Sequence, residues 1–302
     1  MSGPAPASGG APVALFAYAR LDHLRRTVES LSQNSVAADS DLIVFSDAAR
    51  NETDAPAVNA VRDYLQQIDG FRSVDIIERD RNLGLAGSII DGVSRVLQTS
   101  PSVIVLEDDM VTSPHFLRFM NEGLARFESD DRVASIHGYV YPVRESLPEA
   151  FFLPGGDCWG WATWRRAWSY FDEDGAGLLA ALERQGLLDY FDYWGSFPYV
   201  DMLKAQVRGE ADSWAIRWYA ALLLAGKLTL YPGRSLVDNI GNDRSGTHAS
   251  DNDAFAARLS DEPIRLEGVP VEPDERARRA FATFLRRQRP GLMGRLRRLL
   301  AI

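Results

Sequence analysis

Residues 102–110 read SVIVLEDDM: after Ser102 comes the unbroken apolar run Val103, Ile104, Val105 and Leu106, then Glu107, Asp108 and Asp109 side by side, then Met110. So short a run, mostly β-branched, suits a strand covered on both faces in the middle of a parallel sheet. Three adjacent carboxylates at its end repel one another. They are tolerable where the strand emerges at a cleft and a cation neutralises them. A hard divalent ion is the expected occupant. The plainer reading is that the acids mark the strand's exit into solvent and cap the next helix.

Upstream of this stretch, strand and helix signals alternate four times. Residues 12–18 (PVALFAY), 41–45 (DLIVF) and 74–77 read as strands. Between them Leu21, Leu24, Val28 and Leu31, then Val58, Val61, Leu65 and Ile68, recur at helical spacing, and Ile89, Ile90, Val93 and Leu97 mark a helix before the acidic strand. Such alternation predicts an α/β fold, a parallel sheet with helices on both faces. Ligands of these sheets bind outside the carboxyl ends of the strands. Those ends carry Ala17, Tyr18, Ala19 and Arg20, then Ser46 and Asp47, then Arg81, Asn82 and Gly84, then the acidic triplet. Taken singly, Asp47 is a turn or cap residue and Gly84 a glycine at a helix start. No GxxxxGKS/T or GxGxxG motif follows the first strand, so a bound nucleotide is expected to have its phosphates bridged by a metal at residues 107–109.

Composition narrows the classes. A chain of 302 residues, 46% hydrophobic and 25% charged, can fill one large domain or two small ones. No apolar run approaches the roughly 20 residues that cross a bilayer, and residues 1–10 lack the pattern of a secretion signal, so a cytoplasmic location is expected. The single Cys158 excludes a disulfide framework and a thiolate zinc cluster. The net charge of −9 hides nine arginines and no acid between Arg276 and Ile302, so the remaining body is more acidic still, which argues against a nucleic-acid partner.

Downstream, a helix is expected from Pro114 to about Phe127 and a strand at 133–136, followed by His137, read as a packed histidine rather than a ligand. All seven tryptophans lie between Trp159 and Trp218, as either a second core or a platform for sugar rings. Trp164 and Trp168, four apart, read as one inward helix face. Trp159 and Trp161, beside Gly155, Gly156 and Gly160, are the better candidates for ligand contact. Trp214, Trp218, Leu222 and Leu223 make another helical face with Asp212 or Ser213 at its start, and Asp212 reads as an N-cap, a general base, or both. Residues 228–231 read as a strand, and 241–248 (GNDRSGTH) as a loop able to fold over a diphosphate, with Arg244 for charge and Gly246 for close approach, or simply as a surface turn. From Glu275 the arginines interleave with Phe281, Phe284, Leu285, Leu292, Met293, Leu296, Leu299 and Leu300 as a basic amphipathic helix broken near Pro290 and Gly291. It is expected on an anionic membrane surface, with the acidic body of the protein itself as the alternative.

Across residues 13–248 the chain resembles the nucleotide-sugar glycosyltransferases of the GT-A fold. It looks most like bacterial members of glycosyltransferase family 2 and the related N-acetylglucosaminyltransferase that starts N-glycan branching. The acidic triplet resembles that family's EDD, whose last acid, matched by Asp109, holds Mn²⁺ or Mg²⁺ against the donor diphosphate. Ala17, Tyr18, Arg20 and Asp47 match nucleoside-holding positions, and Arg81, Asn82 and Gly84 an Asn/Gly motif on the donor side. Trp159, Gly160 and Trp161 resemble the Gly-Trp segment lining the sugar pocket. Asp212, Ser213 and Trp214 resemble the acid–Trp helix start, although the family often carries its Asp directly before the Trp, where Ser213 stands here. Arg244, Ser245 and Gly246 resemble the segment that closes over the donor, with His248 as a further metal ligand.

The resemblance implies a Rossmann-like, mostly parallel sheet: a flexible lead at 1–11, a nucleotide-sugar-binding half at 12–137, an aromatic-rich acceptor-side half at 138–270, and a basic tail at 271–302. It implies an inverting transfer of a hexosyl or N-acetylhexosaminyl group, from a UDP-sugar, to a hydroxyl of a glycan, glycolipid or cell-surface polysaccharide by a cytoplasmic, peripherally membrane-bound enzyme. The alternatives are a sugar-nucleotide nucleotidyltransferase and a non-catalytic carbohydrate-binding protein.

Overall fold

The computed structural model describes residues 10–241 and 253–299, with side chains of the last helix described as far as residue 288. In chain order the elements are β1 (Val13–Ala17), α1 (Leu21–Ser32), β2 (Asp41–Ser46), α2 (Ala55–Leu65), β3 (Ser73–Glu78), α3 (Gly84–Thr99) and β4 (Ser102–Glu107). Then follow β5 (Met110–Thr112), α4 (Phe116–Arg126), β6 (Val133–His137), β7 (Ala150–Pro154), β8 (Trp161–Trp164) and the one-turn α5 (Arg165–Trp168). The chain continues through α6 (Gly175–Arg184), α7 (Leu188–Phe191), α8 (Tyr199–Val207), α9 (Trp214–Leu224), β9 (Leu228–Pro232), β10 (Val237–Asn239) and α10 (Glu275–Leu299).

Eight strands form one sheet in the order β3-β2-β1-β4-β8-β6-β9-β7. The first four are mutually parallel, as the alternation predicted, and β8 runs antiparallel to both its neighbours. The fold is thus mixed α/β, with a mostly parallel sheet flanked by helices. Order reverses between β1 and β4, where β1 leads back to β2 and β4 onward to β8, which makes the cleft beyond these two strands a topological switch point. A second, two-stranded sheet pairs β10 antiparallel with β5, directly after the acidic triplet.

Burial explains the strands. Every residue of β1 is buried, as are the first five of β4, and Phe16 stacks on Phe45 of β2 with ring centroids 5.1 Å apart. Helix α3 reaches this layer through Gly92, where a Cβ would stand 2.5 Å from Cε1 of Phe16 and 3.2 Å from Cδ2 of Phe45. Gly92→Ala should therefore cost about 1–3 kcal/mol through overpacking. Urea unfolding checks this, and an unchanged midpoint would mean that the ring stack yields freely.

The aromatic region departs from its expected form. Trp164 and Trp168 do pack inward, but Trp164 ends a strand and Trp168 the turn after it, so they share no helix face. Residues 161–164 are captured between β4 and β6, and that tertiary pairing overrides their helical spacing.

The tail departs too. Helix α10 runs unbroken from Glu275 to Leu299, through Pro290 and Gly291; a proline removes one backbone donor and bends a helix without having to end it. Its first part lies on the protein's own body: Ala277, Arg278, Phe281 and Leu285 are buried, with the Phe281 ring 4.9 Å from that of Tyr141. Arg278 stacks over Tyr190 and Tyr193 at 3.5 and 4.1 Å and donates to the Tyr190 carbonyl. For this part the acidic body, and not a membrane, covers the apolar stripe. The side chains of Leu292, Met293, Leu296, Leu299 and Leu300 lie outside the described residues. Among the described residues no helix is long and apolar enough to cross a membrane.

Candidate functional site

The ends of β1 and β4 bring a guanidinium onto the acidic triplet. Arg20 stands at the N-cap position of α1 but makes no side-chain cap there. Its Nη2 instead donates to Asp108 Oδ1 and, at 2.8 Å, to Asp109 Oδ2. Asp108 also accepts the Tyr18 N–H at 3.4 Å, and its carbonyl takes the Thr27 hydroxyl at 2.9 Å. Asp108 and Asp109 are only 4% and 7% exposed. The second oxygen of Asp109, Oδ1, is buried with no hydrogen-bond partner.

Electrostatics turn this into a site that favours added positive charge. Burial, reinforced by Asp109 and Asp108, pushes Glu107 up to about 8. Asp108 is raised to about 6 by burial, with Arg20 pulling down and Asp109 pushing up. Burial opposes the charge on Arg20, yet Asp108 and Asp109 hold its pKa above the ordinary arginine value. With Glu107 largely protonated at neutral pH, the two aspartates still outnumber the one guanidinium, and a divalent cation beside Asp109 Oδ1 would neutralise the remainder. No group of three His, Cys, Asp or Glu side chains among the described residues is placed to hold a metal ion. The partnerless Oδ1 of Asp109 would give a Mn²⁺ or Mg²⁺ ion one carboxylate ligand from the protein.

The second sheet closes over this point. The Ile240 N–H donates to the Asp109 carbonyl at 2.9 Å, and Gly241 lies so close that a Cβ would stand 2.1 Å from Asp109 Oδ2. A side chain at this position would have to displace the Asp109 carboxylate or the Arg20 guanidinium.

The nucleoside-side residues gather on the neighbouring strand ends. The Tyr18 hydroxyl donates to Asp54 at 2.6 Å and accepts the Arg50 N–H at 3.1 Å, while the Ala17 carbonyl takes the Asp47 N–H. The Asp47 carboxylate accepts the N–H groups of Leu83 and Gly84 at 3.0–3.1 Å, where α3 begins, so it also serves as a cap. The positive helix end explains that preference. Asn82 bridges the same turn, donating to the Ala48 carbonyl at 2.7 Å; Gly84 takes a φ of 69°, and Arg81 is exposed.

On the other side, β8 enters the sheet next to the end of β4, with Trp161 opposite Val105. Trp161 is 1% exposed and packs in the core between Trp168, Trp214 and Trp218. Gly160 likewise serves packing, since a Cβ there would meet Val237, Leu106 and Phe116. Trp159 remains half-buried at the surface. Asp212 is not the cap of α9; Ser213 is, accepting the Ile216 N–H, which leaves the Asp212 side chain 71% exposed and paired with Arg217 at 3.2 Å. Trp214 stacks on Trp161 at 5.2 Å and so sets the start of α9 beside the entrance of β8. Arg244, Ser245, Gly246 and His248 lie outside the described residues.

No protein-family model and no curated protein matches the sequence. Among solved structures the chain is similar to a mannosyltransferase from Pyrobaculum calidifontis in complex with GDP-Man and Mn²⁺, at 13% identity and a TM-score of 0.37, over 60% of this chain and 48% of that one. It is also similar to S. aureus TarS, at 12% identity: a TM-score of 0.35 over 59% of this chain and 49% of the 1–349 form, and 0.33 over 49% and 25% of another structure. The chain thus spans half or less of the length of each. Superposition this partial carries no argument about activity, and nothing in these matches singles out the N-glycan branching transferase.

Two contacts carry no local sequence signal of their own: the pairing of Arg217 with Asp212 at 3.2 Å, and the seat of Gly241 on Asp109, although a glycine directly after a strand is a sign of close approach.

Proposed function

We propose that the protein is a metal-dependent glycosyltransferase that takes a sugar from a nucleoside diphosphate, most simply a UDP-sugar, and passes it with inversion to a hydroxyl of a glycan or glycolipid. The observation that carries this reading is the buried, partnerless oxygen of Asp109 at the switch point, in an acidic cluster that Arg20 only partly neutralises. Such a site has no use for a diphosphate alone, which the acids would repel, but suits a diphosphate that arrives with its cation. When bound, the ion on Asp109 would stabilise the charge of the departing nucleoside diphosphate.

The chain's own residues do the rest. Arg20 holds Asp108 and Asp109 in place, Tyr18 and the Asp47-capped turn shape the nucleoside side, and Gly241 closes over the carboxylates. The acceptor hydroxyl attacks the anomeric carbon opposite the diphosphate. Its proton passes to Asp212, and the electron pair of the broken C–O bond leaves with the diphosphate.

Thermal-shift measurement across UDP- and GDP-sugars, with and without Mn²⁺, tests this. Stabilisation should need nucleotide and cation together and reach about 2.7 kcal/mol at one hundred times the dissociation constant. Equal shifts without metal would defeat the reading, and release of pyrophosphate from a nucleoside triphosphate would replace it with nucleotidyl transfer. Asp212→Asn should keep that stabilisation and lose about 10²–10⁴-fold in turnover. Unchanged turnover would assign the base elsewhere.

A further inference from the structure

Helix α10 lies on the body through rings and not through charges. Phe281 packs edge-on against Tyr141, Phe151 and Tyr231 with centroids 4.9–6.0 Å apart, and Phe284 stacks on Tyr141 at 5.3 Å. Arg278 is buried among Tyr190, Tyr193 and Trp194. All 42 acidic side chains of the protein precede Arg276. Even so, among the described residues none of Arg276, Arg278, Arg279, Arg286 and Arg287 is ion-paired. All of these but Arg278 are exposed, and Arg286 donates to the Ser196 hydroxyl at 3.1 Å. A helix made basic in order to grip the acidic body would set its arginines against carboxylates. This one leaves them unmatched.

Beside Arg286 a tryptophan stands out of the surface. Tyr193 and Trp194 take φ of 51° and 54°, the left-handed region that disfavours bulky side chains. The turn they make leaves Trp194 42% exposed, its ring supported edge-on by Tyr190 at 5.8 Å. Past Gln288 the helix runs on to Leu299, and the sequence there places Leu292, Met293, Leu296 and Leu299 at helical spacing among Arg289, Arg295, Arg297 and Arg298. Apolar positions at this spacing among arginines, with no acid, are the pattern of a helix that lies in the interface of an anionic bilayer. Tryptophan favours the same depth. A nucleic acid would match the arginines but give the apolar positions and Trp194 no role.

We infer that residues 286–299 of α10, with Trp194 beside their start, dock the chain on an anionic lipid surface, while residues 275–285 hold the acidic body to that helix. The body's own charge keeps the rest of its surface off such a membrane, so the tail sets how the chain lies on it. This inference does not depend on the function proposed above.

Flotation of the full chain with vesicles tests the inference, phosphatidylcholine alone against phosphatidylcholine with about one part in four of phosphatidylglycerol. Binding to the anionic vesicles should exceed that to the neutral ones by about tenfold or more, and should fall steeply between about 0.1 M and 0.5 M salt. Arg295→Gln, Arg297→Gln and Arg298→Gln together should weaken it about 10²-fold, and Leu292→Ser with Leu296→Ser by a similar factor. Trp194→Ala, a change on the body, should weaken it about tenfold and serves should a tail variant fail to fold. No preference of the wild type for anionic vesicles, or full binding by the arginine and Trp194 variants, overturns the inference. Self-association that the leucine changes abolish, without vesicle binding, would overturn it in favour of a second copy of this chain. Binding to transfer RNA that survives the leucine changes, again without vesicle binding, would overturn it in favour of a nucleic acid.

Discussion

Asp109→Ala should abolish Mn²⁺-dependent nucleotide binding and lower kcat/KM by about 10³-fold or more, because charge stabilisation of a departing diphosphate is commonly the largest single contribution in such a reaction. The fold should survive. Alanine removes one of three carboxylates that disfavour one another's ionisation, and Arg20 keeps its bond to Asp108. Calorimetric titration of UDP with and without Mn²⁺, run beside a melting curve, separates loss of the site from loss of structure. Metal-dependent UDP binding that persisted in this variant would place the cation elsewhere.

Arg20→Met should be the most damaging substitution for stability, since it strips the guanidinium from two buried carboxylates and leaves them uncompensated. Breaking such a pair costs about 3–5 kcal/mol, and the 22% exposure of Arg20 places the loss near the lower end. The pH dependence follows from the raised acids. Glu107, at about 8, and Asp108, at about 6, hold protons in the folded chain at pH values where the unfolded chain has released them. Their contribution is complete below their ordinary carboxylate values and is lost as pH rises through about 6 and then about 8. Arg20 pulls both acids down, so its removal should widen that window and steepen the fall. Melting temperatures of the metal-free variant at pH 5 and pH 8 check this: a gap from wild type that is large at pH 8 and small at pH 5 is expected. An equal gap at both would assign the loss to packing.

Much of this was legible in the residues. The SVIVLE run, the helical spacing of Leu24, Val28 and Leu31, and the clustering of polar residues at strand ends all follow from local burial, and burial is written in residue type. The acids and Arg20 could be listed together because both follow a strand. What could not be read was which groups would find each other across the fold. Asp47 caps a helix that begins 37 positions later, and Gly241 rests on Asp109 from the far end of the chain. Trp161 and Trp164 became strand because β4 and β6 offered open edges on either side, an influence no spacing rule contains. The choice between membrane and body for the first part of the last helix could not be read either, because Tyr141 and Phe151, which pack on Phe281, lie far away in sequence.

The insertion of β8 between β4 and β6 has a consequence for how this polypeptide could be dissected. During synthesis the four parallel strands are complete by Glu107, yet one side of β4 stays unpaired until Trp161–Trp164 leaves the ribosome. A fragment ending at residue 137 would keep that edge bare, with Val103, Ile104 and Val105 free to recruit other chains. Expressed alone it should aggregate more readily than a fragment that runs on through Trp164.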